Sequence, residues 1–302
     1  MERITIRGEI QQNEPLSRHT SFAIGGPADL MAYPADREDI ATLLQEIGRR
    51  QLPYFFLGGG TNVLFRDRGF RGVVINLKRM QKIAIEREYR SIGGLFAVIN
   101  AEAGALLPRV LAFAAEEGLT GLEFAAGIPG TIGGAVCMNA GTSRGEIGDI
   151  IESVGLISPA GELVTKGRDD MGFGYRTSLI PEGYMVVDAK MIVRREDKEK
   201  IKDEIKELLD LRKQRQPWGF PNAGSIFKNP HEESAGRLIE RAGLKGRTVG
   251  DAQVSDKHAN FIINRGQAKA ADVIKLMEIV QQAVLEVHGV RLEPEIKIVG
   301  ED

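Results

Sequence analysis

The segment of residues 127–141 constrains this chain more strongly than any other. It reads GIPGTIGGAVCMNAG and holds five glycines and one proline among fifteen residues, without a charged side chain. Glycine loses more backbone entropy on folding than any other residue, so a cluster of glycines indicates positive φ angles or the close approach of another group to the backbone. We expect that group to be a flat or polyanionic ligand.

A second glycine segment occupies residues 54–62. It reads YFFLGGGTN, an apolar run typical of a strand that leads into three glycines and two small polar residues. Such a turn can present several backbone N–H groups to a phosphate. Neither segment matches the dinucleotide pattern G-x-G-x-x-G or the G-K-[ST] ending of a P-loop. Together they predict one large cofactor bound along two backbone walls, and a purely structural turn is the alternative for each segment alone.

Length, charge and composition exclude several classes of protein. The 302 residues exceed the usual size of one hydrophobic core, so two or three domains are expected. The 40 Lys and Arg and the 42 Asp and Glu give a net charge of −2, which argues against a nucleic-acid partner. The N-terminus lacks the apolar core of a secretion signal, and no stretch approaches the roughly 20 apolar residues that cross a bilayer. We therefore expect a cytoplasmic protein without membrane insertion.

The cysteine and histidine content predicts neither a disulfide nor a metal site. Cys137 is the only cysteine and cannot form an intramolecular disulfide. The four histidines, His19, His231, His258 and His288, have no mutual spacing typical of metal ligands.

Helix and strand patterns alternate through the first two thirds of the chain. Apolar residues recur at helical spacing after a capping Asp36, and again from residue 106 to 114, where Gly118 ends the pattern. Residues 158–162, SPAGE, predict a hairpin turn. The predicted strands cover residues 54–57, 97–101 and 185–193.

The last third reads as a separate small α+β unit. Fourteen of the twenty residues 196–215 are charged, and the remaining apolar stripe predicts an amphipathic surface helix. Prolines and glycines at residues 217–224 then mark a domain boundary. The predicted elements beyond it are helices at 235–242 and 273–287 and strands at 260–264 and 296–299.

Six ordered motifs carry a family resemblance. The motifs are RHTSFAIGG at 18–26, LGGGTNVL at 57–64, AGIPGTIGG at 126–134, GYRTS at 174–178, AGSIFKNP at 223–230 and LEPEIK at 292–297. With these motifs in this order, the chain resembles the UDP-N-acetylenolpyruvoylglucosamine reductase family from about residue 14 to the C-terminus, and six ordered motifs are far more specific than any one of them.

The resemblance implies an FAD-binding fold of the p-cresol methylhydroxylase type, with a C-terminal α+β substrate domain. We expect FAD-binding subdomains at residues 1–80 and 81–215 and a substrate-binding domain at 216–302. The implied reaction belongs to peptidoglycan synthesis. NADPH reduces FAD, and the flavin then reduces the enolpyruvyl ether of UDP-N-acetylglucosamine to UDP-N-acetylmuramate.

The resemblance also implies the site residues. Arg176, Ser225 and Glu295 correspond to the catalytic set: a guanidinium for the substrate carboxylate, a proton donor, and a glutamate that orients or polarises the intermediate. The predicted cofactor-binding residues are Leu57, Gly58, Gly59, Gly60, Thr61, Asn62, Gly127, Ile128, Pro129, Gly130, Thr131, Gly133 and Gly134.

Substrate contacts are predicted around these residues. Lys228 and Asn229 follow Ser225 directly and are expected to meet the phosphates or the amide, with a helix or turn cap as the alternative for Asn229. His258 and Asn260 are further candidates. Some family members insert a tyrosine-bearing loop, but Ser225 and Glu295 are only 70 residues apart here, so the chain resembles the shorter subtype.

Other interpretations of the same residues stay open at this point. Taken without their motifs, Arg176 is typical of a surface arginine, Ser225 of a turn and Glu295 of a solvated strand end. An oxidase of the same fold is a second hypothesis, in which Cys137 is the nucleophile nearest to the glycine segments for covalent attachment of FAD. A sugar-nucleotide-binding module without catalysis is a third, and it leaves the three catalytic candidates unexplained.

Overall fold

A computed structural model describes residues 4–231 and 233–301 of the chain. The chain divides into two compact units, each assembled from separate stretches of sequence. Of the described residues, the first unit comprises 4–11, 31–59 and 73–211, and the second comprises 12–30, 60–72, 212–231 and 233–301.

Helices are interspersed among the strands of the described chain. The strands are β1 Glu9–Pro15, β2 Pro27–Tyr33, β3 Tyr54–Leu57, β4 Val63–Phe65, β5 Phe70–Asn76, β6 Ile83–Ser91, β7 Gly94–Glu102, β8 Leu119–Thr120, β9 Gly141–Thr142, β10 Gly145–Glu146, β11 Ile151–Ile157, β12 Leu163–Gly167, β13 Met185–Arg195, β14 Thr248–Val249, β15 Ala252–Val254, β16 Ile262–Asn264 and β17 Lys297–Val299. The helices are α1 Arg37–Arg49, α2 Leu107–Glu116, α3 Ile132–Cys137, α4 Ile147–Ile150, α5 Lys198–Arg215, α6 Ala235–Arg241 and α7 Ala270–His288.

An antiparallel sheet forms the centre of the first unit. Its strands follow the order β12-β11-β13-β7-β6, and β8 pairs with the end of β13. The strand β13 is buried along most of its length, since it is covered by neighbours on both edges and contacts α3. The parts of β1, β2, β5 and β3 in this unit form a second sheet in that order, with β3 and β5 parallel.

Local signals explain where the first unit's helices begin and end. The carboxylate of Asp36 accepts a hydrogen bond from the N–H of Asp39 and caps α1. The helix α3 is short and ends with Asn139 in the left-handed region, at φ 42°. The N–H groups of Asn139 and Ala140 return to the carbonyls of Val136 and Ala135 at this end, which is the hydrogen-bond pattern of a Schellman motif.

The second unit has its own apolar core, which α7 lines with one face. Val273, Leu276, Val280 and Val284 recur at helical spacing and are all buried. The strands β14, β15 and β16 form an antiparallel sheet, and β17 pairs in parallel with β4. The N-terminus of α7 is held by Asp67, whose carboxylate accepts from the first two N–H groups of the helix.

Most predicted elements are confirmed. The helices α1, α2, α5, α6 and α7 lie where the apolar periodicity places them, and the turn at 158–162 joins the hairpin β11–β12. The predicted strand at 260–264 is shorter, since β16 begins only at Ile262. The three-domain division at residues 80/81 and 215/216 stays a prediction. Within the described residues, every helix is too short or too polar to span a bilayer.

Candidate functional site

The two glycine segments meet within the first unit. A Cβ atom built on Gly59 would lie 2.8 Å from the Cα of Gly130, and one built on Gly58 would lie 2.7 Å from Thr131 Oγ1. Carbon atoms of real side chains essentially never approach so closely, so the glycine at 59 allows the two backbones to touch, and the glycine at 58 leaves room for the Thr131 side chain. The sequence alone predicted two walls, and the structure brings them into contact.

Several backbone N–H groups at this contact are available to a ligand. In the described part of the chain, the N–H groups of Gly58, Gly59, Gly130 and Thr131 donate to no backbone carbonyl or side chain. These residues, apart from Thr131, are also half-exposed. Unpaired N–H groups that converge on one place are a binding surface for a phosphate or another anion.

The N-terminus of α3 does not contribute in the same way. Its first N–H groups already have acceptors: Ile132 donates to Ala105 O, Gly133 to Ala103 O, and Gly134 to the hydroxyl of Thr131. A Cβ on Gly133 would lie 3.0 Å from the Cβ of Ala103, which shows close packing of the helix. The available donors are therefore those of the loops, not of the helix.

The remaining predicted cofactor residues have mixed surroundings. Gly60 has φ 64°, and a Cβ there would lie 1.9 Å from the carbonyl oxygen of His19, so local packing alone requires this glycine. Asn62 donates from Nδ2 to the carbonyl of Glu295 over 3.2 Å. Leu57 and Thr131 are buried, Pro129 is exposed, and Thr61, Gly127, Ile128 and Gly134 are half-buried.

Arg176 lies at the tip of a tight turn in the first unit. Gly174 and Thr177 close the turn with two backbone hydrogen bonds of 3.1 and 3.2 Å. Arg176 has φ 57°, a left-handed conformation that an arginine adopts at a cost in free energy. Its guanidinium lies 5.3 Å from the ring of Tyr175, which is half-exposed. Strained backbone of this kind concentrates at functional sites.

Ser225 and Glu295 lie on neighbouring backbone in the second unit. Glu295 N donates to Ile226 O over 2.8 Å, and Lys228 N donates to Glu293 O over 2.9 Å. This pairing places the residue after Ser225 directly opposite Glu295. The hydroxyl of Ser225 itself has no hydrogen-bond partner among the described residues, and the side chain is half-buried.

Asn260 is buried and holds a neighbouring backbone segment, and its role as a substrate contact stays a prediction. The side chain is 3% exposed. Its Oδ1 accepts from Phe227 N over 3.0 Å, and its Nδ2 donates to Phe227 O over 2.8 Å. The two ends of the amide are thus bound to one peptide segment, two residues after Ser225. Asn260 therefore fixes this segment from both ends of its amide.

The other three substrate candidates also have protein partners. Asn229 Oδ1 accepts from the N–H of Ala235 at the start of α6, the helix-cap alternative named for it above. The ammonium of Lys228 lies 3.6 Å from the carboxylate of Glu293, and it is partly exposed. His258 packs edge-on against Phe261, and Nδ1 accepts from Asn260 N. Burial lowers the pKa of His258. Of these residues, Lys228 has the most accessible charge.

The residues of the first unit fit a flavin dinucleotide. The pyrophosphate of such a cofactor needs N–H donors, and its flat rings need backbone without side chains. The contact between the two glycine segments supplies both. Residues that could bind a metal do not come together in the described chain, where no group of three His, Cys, Asp or Glu side chains is suitably placed.

Comparisons with known proteins agree with this geometry. Residues 28–167 match the family described as FAD binding domain, and residues 216–299 match the family described as UDP-N-acetylenolpyruvoylglucosamine reductase, C-terminal domain. Together with the relatives below, these matches show an FAD-dependent oxidoreductase with the FAD-binding fold of the p-cresol methylhydroxylase type. A UDP-N-acetylenolpyruvoylglucosamine reductase from Caldanaerobacter subterraneus is 43% identical over 100% of this chain and 97% of its own length. The chain belongs to the UDP-N-acetylenolpyruvoylglucosamine reductase family.

Further relatives support the same assignment. A UDP-N-acetylenolpyruvoylglucosamine reductase from Agathobacter rectalis is 45% identical over 96% of this chain and 94% of its own. The crystal structure of UDP-N-acetylenolpyruvylglucosamine reductase from Thermus caldophilus superimposes with a TM-score of 0.80 at 38% identity, and the match covers 97% of this chain and 99% of that one. The similarity therefore includes both units.

Proposed function

We propose that this protein reduces the enolpyruvyl ether of UDP-N-acetylglucosamine to UDP-N-acetylmuramate, in the cytoplasm, as a step of peptidoglycan synthesis. The observation that carries the proposal is the similarity over the whole chain to reductases of this name, at 43% identity for the relative from Caldanaerobacter subterraneus. The small net charge of −2 also argues against a nucleic-acid partner.

FAD is the cofactor, and NADPH is the reductant. When bound, FAD accepts a hydride from NADPH and supplies it to the enolpyruvyl double bond. Gly58, Gly59, Gly130 and Thr131 are proposed to hold the pyrophosphate through their backbone N–H groups. Gly127 and Gly134 would line the flavin, because a larger residue there would keep a flat ring system away from the backbone.

Arg176 is proposed to bind the substrate carboxylate. Addition of hydride to the terminal carbon of the enolpyruvyl group leaves negative charge that spreads into this carboxylate. A guanidinium stays charged at every physiological pH and presents a planar pair of donors that matches a carboxylate. The tight turn from Gly174 to Thr177 holds the Cα of Arg176 in one place, which makes this charge stabilisation preorganised.

Ser225 and Glu295 are proposed to complete the reduction. Ser225 delivers a proton to the carbon next to the carboxylate, and its hydroxyl has no competing partner among the described residues. Glu295 orients the charged intermediate from the backbone segment that pairs with Ile226. Lys228 is proposed to meet the phosphates of the substrate, because its charge is the one accessible cation among the four predicted substrate residues.

An anaerobic experiment in two steps tests the function. The protein is first reduced with NADPH, and the enolpyruvyl ether of UDP-N-acetylglucosamine is then added while flavin absorbance is followed. We expect bleaching in the first step and complete return of absorbance in the second. Reoxidation by oxygen but not by this ether would favour an oxidase, and protein without releasable flavin would favour a binding module.

The proposed cofactor wall has its own test in Gly59→Ala. The methyl group would meet the backbone of Gly130 and separate the two glycine segments, so we expect FAD affinity to fall by at least about 10-fold while the protein stays folded. Gly48→Ala is the matched control, because Gly48 lies on α1 with open space around it. Full FAD occupancy in Gly59→Ala would contradict the assignment.

A further inference from the structure

One buried side chain connects the glycine-rich segment to the turn that carries Arg176. Asn139 follows α3 and is 0% exposed. Its Nδ2 donates to Gly174 O over 3.0 Å and to Glu146 Oε1 over 2.7 Å, and its Oδ1 accepts from Gly148 N over 2.8 Å. A single amide thus joins the end of α3, the start of α4 and the base of the Arg176 turn.

The backbone of Asn139 explains why an asparagine occupies this position. With φ 42°, the residue forms the left-handed end of the Schellman motif that closes α3. Glycine and asparagine are the residues that favour this conformation, and only asparagine also brings an amide. The left-handed end of α3 therefore holds the Asn139 amide, with its two N–H donors and its acceptor oxygen, in one orientation.

A second contact ties the same turn to the same helix. Ser178, one residue beyond the turn, donates from its hydroxyl to the carbonyl of Cys137 over 3.1 Å. The turn itself leaves only Tyr175 and Arg176 between the residues that close it. A displacement of Gly174 would therefore move Arg176 directly.

We propose that Asn139 is a positioning residue that sets the location of the Arg176 guanidinium relative to the glycine-rich segment 127–141. The proposal rests on the proposed function in one respect, since it takes Arg176 as the residue that binds the substrate carboxylate. Asn139 does not touch the substrate. It acts by holding the carbonyl of Gly174 against α3, and it keeps the left-handed turn at Arg176 from relaxing.

The variant Asn139→Gly separates the side chain from the backbone. Glycine keeps the left-handed helix end and removes all three side-chain hydrogen bonds. Asn13→Gly is the matched control, because Asn13 also has a positive φ, of 51°, but its side chain is exposed. Ser178→Ala provides a second way to loosen the turn, with the helix end intact.

Four measurements on each variant decide the proposal: FAD affinity, the thermal unfolding midpoint, the rate of flavin reduction by NADPH, and the rate of reoxidation by the enolpyruvyl ether. We expect Asn139→Gly to slow reoxidation by roughly 10- to 100-fold, the effect of misplacing a reacting group by about 1 Å. Reduction by NADPH and FAD affinity should stay within about twofold of wild type, and Asn13→Gly should change nothing measurable.

The same substitution in an Arg176→Ala background shows whether Asn139 acts through Arg176. If it does, Asn139→Gly causes no further loss there, because the group that it positions is absent. Three outcomes would each overturn the proposal. They are an equal loss of reoxidation rate in both backgrounds, equal slowing of both half-reactions by Asn139→Gly, and reoxidation of Asn139→Gly at the wild-type rate. If Asn139→Gly does not retain FAD, Ser178→Ala decides: selective slowing of reoxidation supports the proposal, and unchanged reoxidation refutes it.

This design also separates the proposal from the function on which it depends. If Arg176→Ala alone reoxidises at the wild-type rate, the role proposed for Arg176 is wrong. If Arg176→Ala is impaired and Asn139→Gly is not, only the positioning role of Asn139 is wrong.

Discussion

The segments that carry Arg176 and Ser225 are both irregular, and a buried asparagine holds each of them by different means. Asn139 reaches the Arg176 turn through one hydrogen bond, to the carbonyl of Gly174. Asn260 binds both the N–H and the carbonyl of Phe227, and its own carbonyl accepts from Ile226 N. The Ser225 segment is fixed at more points than the Arg176 turn.

The backbone conformations of the Arg176 turn and the Ser225 segment also differ. Arg176 has a left-handed φ of 57°, whereas the segment after Ser225 pairs with residues 293–295 as extended chain. An arginine at positive φ is strained, and a paired extended segment is not. The Arg176 turn thus combines a strained residue with one bond to its asparagine, and the Ser225 segment has backbone bonds to residues 293–295 besides its asparagine.

The largest effect is expected from removal of the Arg176 guanidinium. Arg176→Ala should lower kcat for reoxidation by the enolpyruvyl ether. The expected loss of transition-state stabilisation is about 3 kcal/mol, the usual value for one preorganised donor. Arg176→Lys should recover little, because an ammonium cannot present two planar donors to a carboxylate. Steady-state kinetics that show an unchanged kcat and a raised KM would make Arg176 a binding residue only.

Ser225→Ala should affect one half-reaction. Flavin reduction by NADPH needs no proton from this hydroxyl, so its rate should stay near wild type, while reoxidation should slow by about 10²-fold through loss of the general acid. Stopped-flow traces of the two steps provide the measurement. Equal slowing of both steps would make Ser225 a structural residue.

Asn260→Ala should destabilise the second unit without a selective effect on either half-reaction. It leaves the N–H of Phe227 buried without its acceptor, and the expected loss is about 2 kcal/mol in the free energy of unfolding. Asn222→Ala is the matched control, since Asn222 also bonds Phe220 O and Gly224 N but lies nearer the surface. We expect a smaller loss for Asn222→Ala than for Asn260→Ala. Equal losses in the free energy of unfolding, measured by urea titration, would contradict this prediction.

Replacing Arg176 by glycine should expose the strain in its turn. Arg176→Gly and Arg176→Ala both lack the guanidinium, but only glycine adopts the left-handed conformation without penalty. We expect Arg176→Gly to be more stable than Arg176→Ala by about 1 kcal/mol in thermal unfolding. Equal stability would show that the turn is not strained.

The last prediction concerns pH and His258. Burial, with the nearby charge of Lys245, lowers the pKa of His258, so the unfolded chain binds a proton more readily than the folded chain. The free energy of unfolding should therefore fall as pH decreases below about 6.5. Because unfolding takes up at most one proton at this group, the slope is at most about 1.4 kcal/mol per pH unit. Unfolding midpoints of wild type and His258→Asn between pH 8 and pH 5 should diverge only at the acidic end, and parallel curves would contradict the prediction.

The sequence was informative where the physical cause is local. A capping carboxylate at Asp36 and the periodic apolar face of α7 act over a few residues, and both elements lie where the pattern predicts them. The glycine segments were also readable, because glycine is rarely retained without a need for positive φ or close approach. The six motifs indicated the family, which the comparisons confirm.

The sequence by itself thus determined the main helices and strands, and the family with its FAD chemistry. Only the tertiary structure showed that Gly60 is required by the carbonyl of His19, that Asn260 binds the backbone of Phe227, and that Asn139 binds the carbonyl of Gly174. Asn139 and Gly174 are 35 residues apart, as Asn260 and Phe227 are 33 apart. Such contacts arise from packing between distant segments, and an asparagine has the same local signal whether it binds a ligand, caps a helix or holds a buried peptide group.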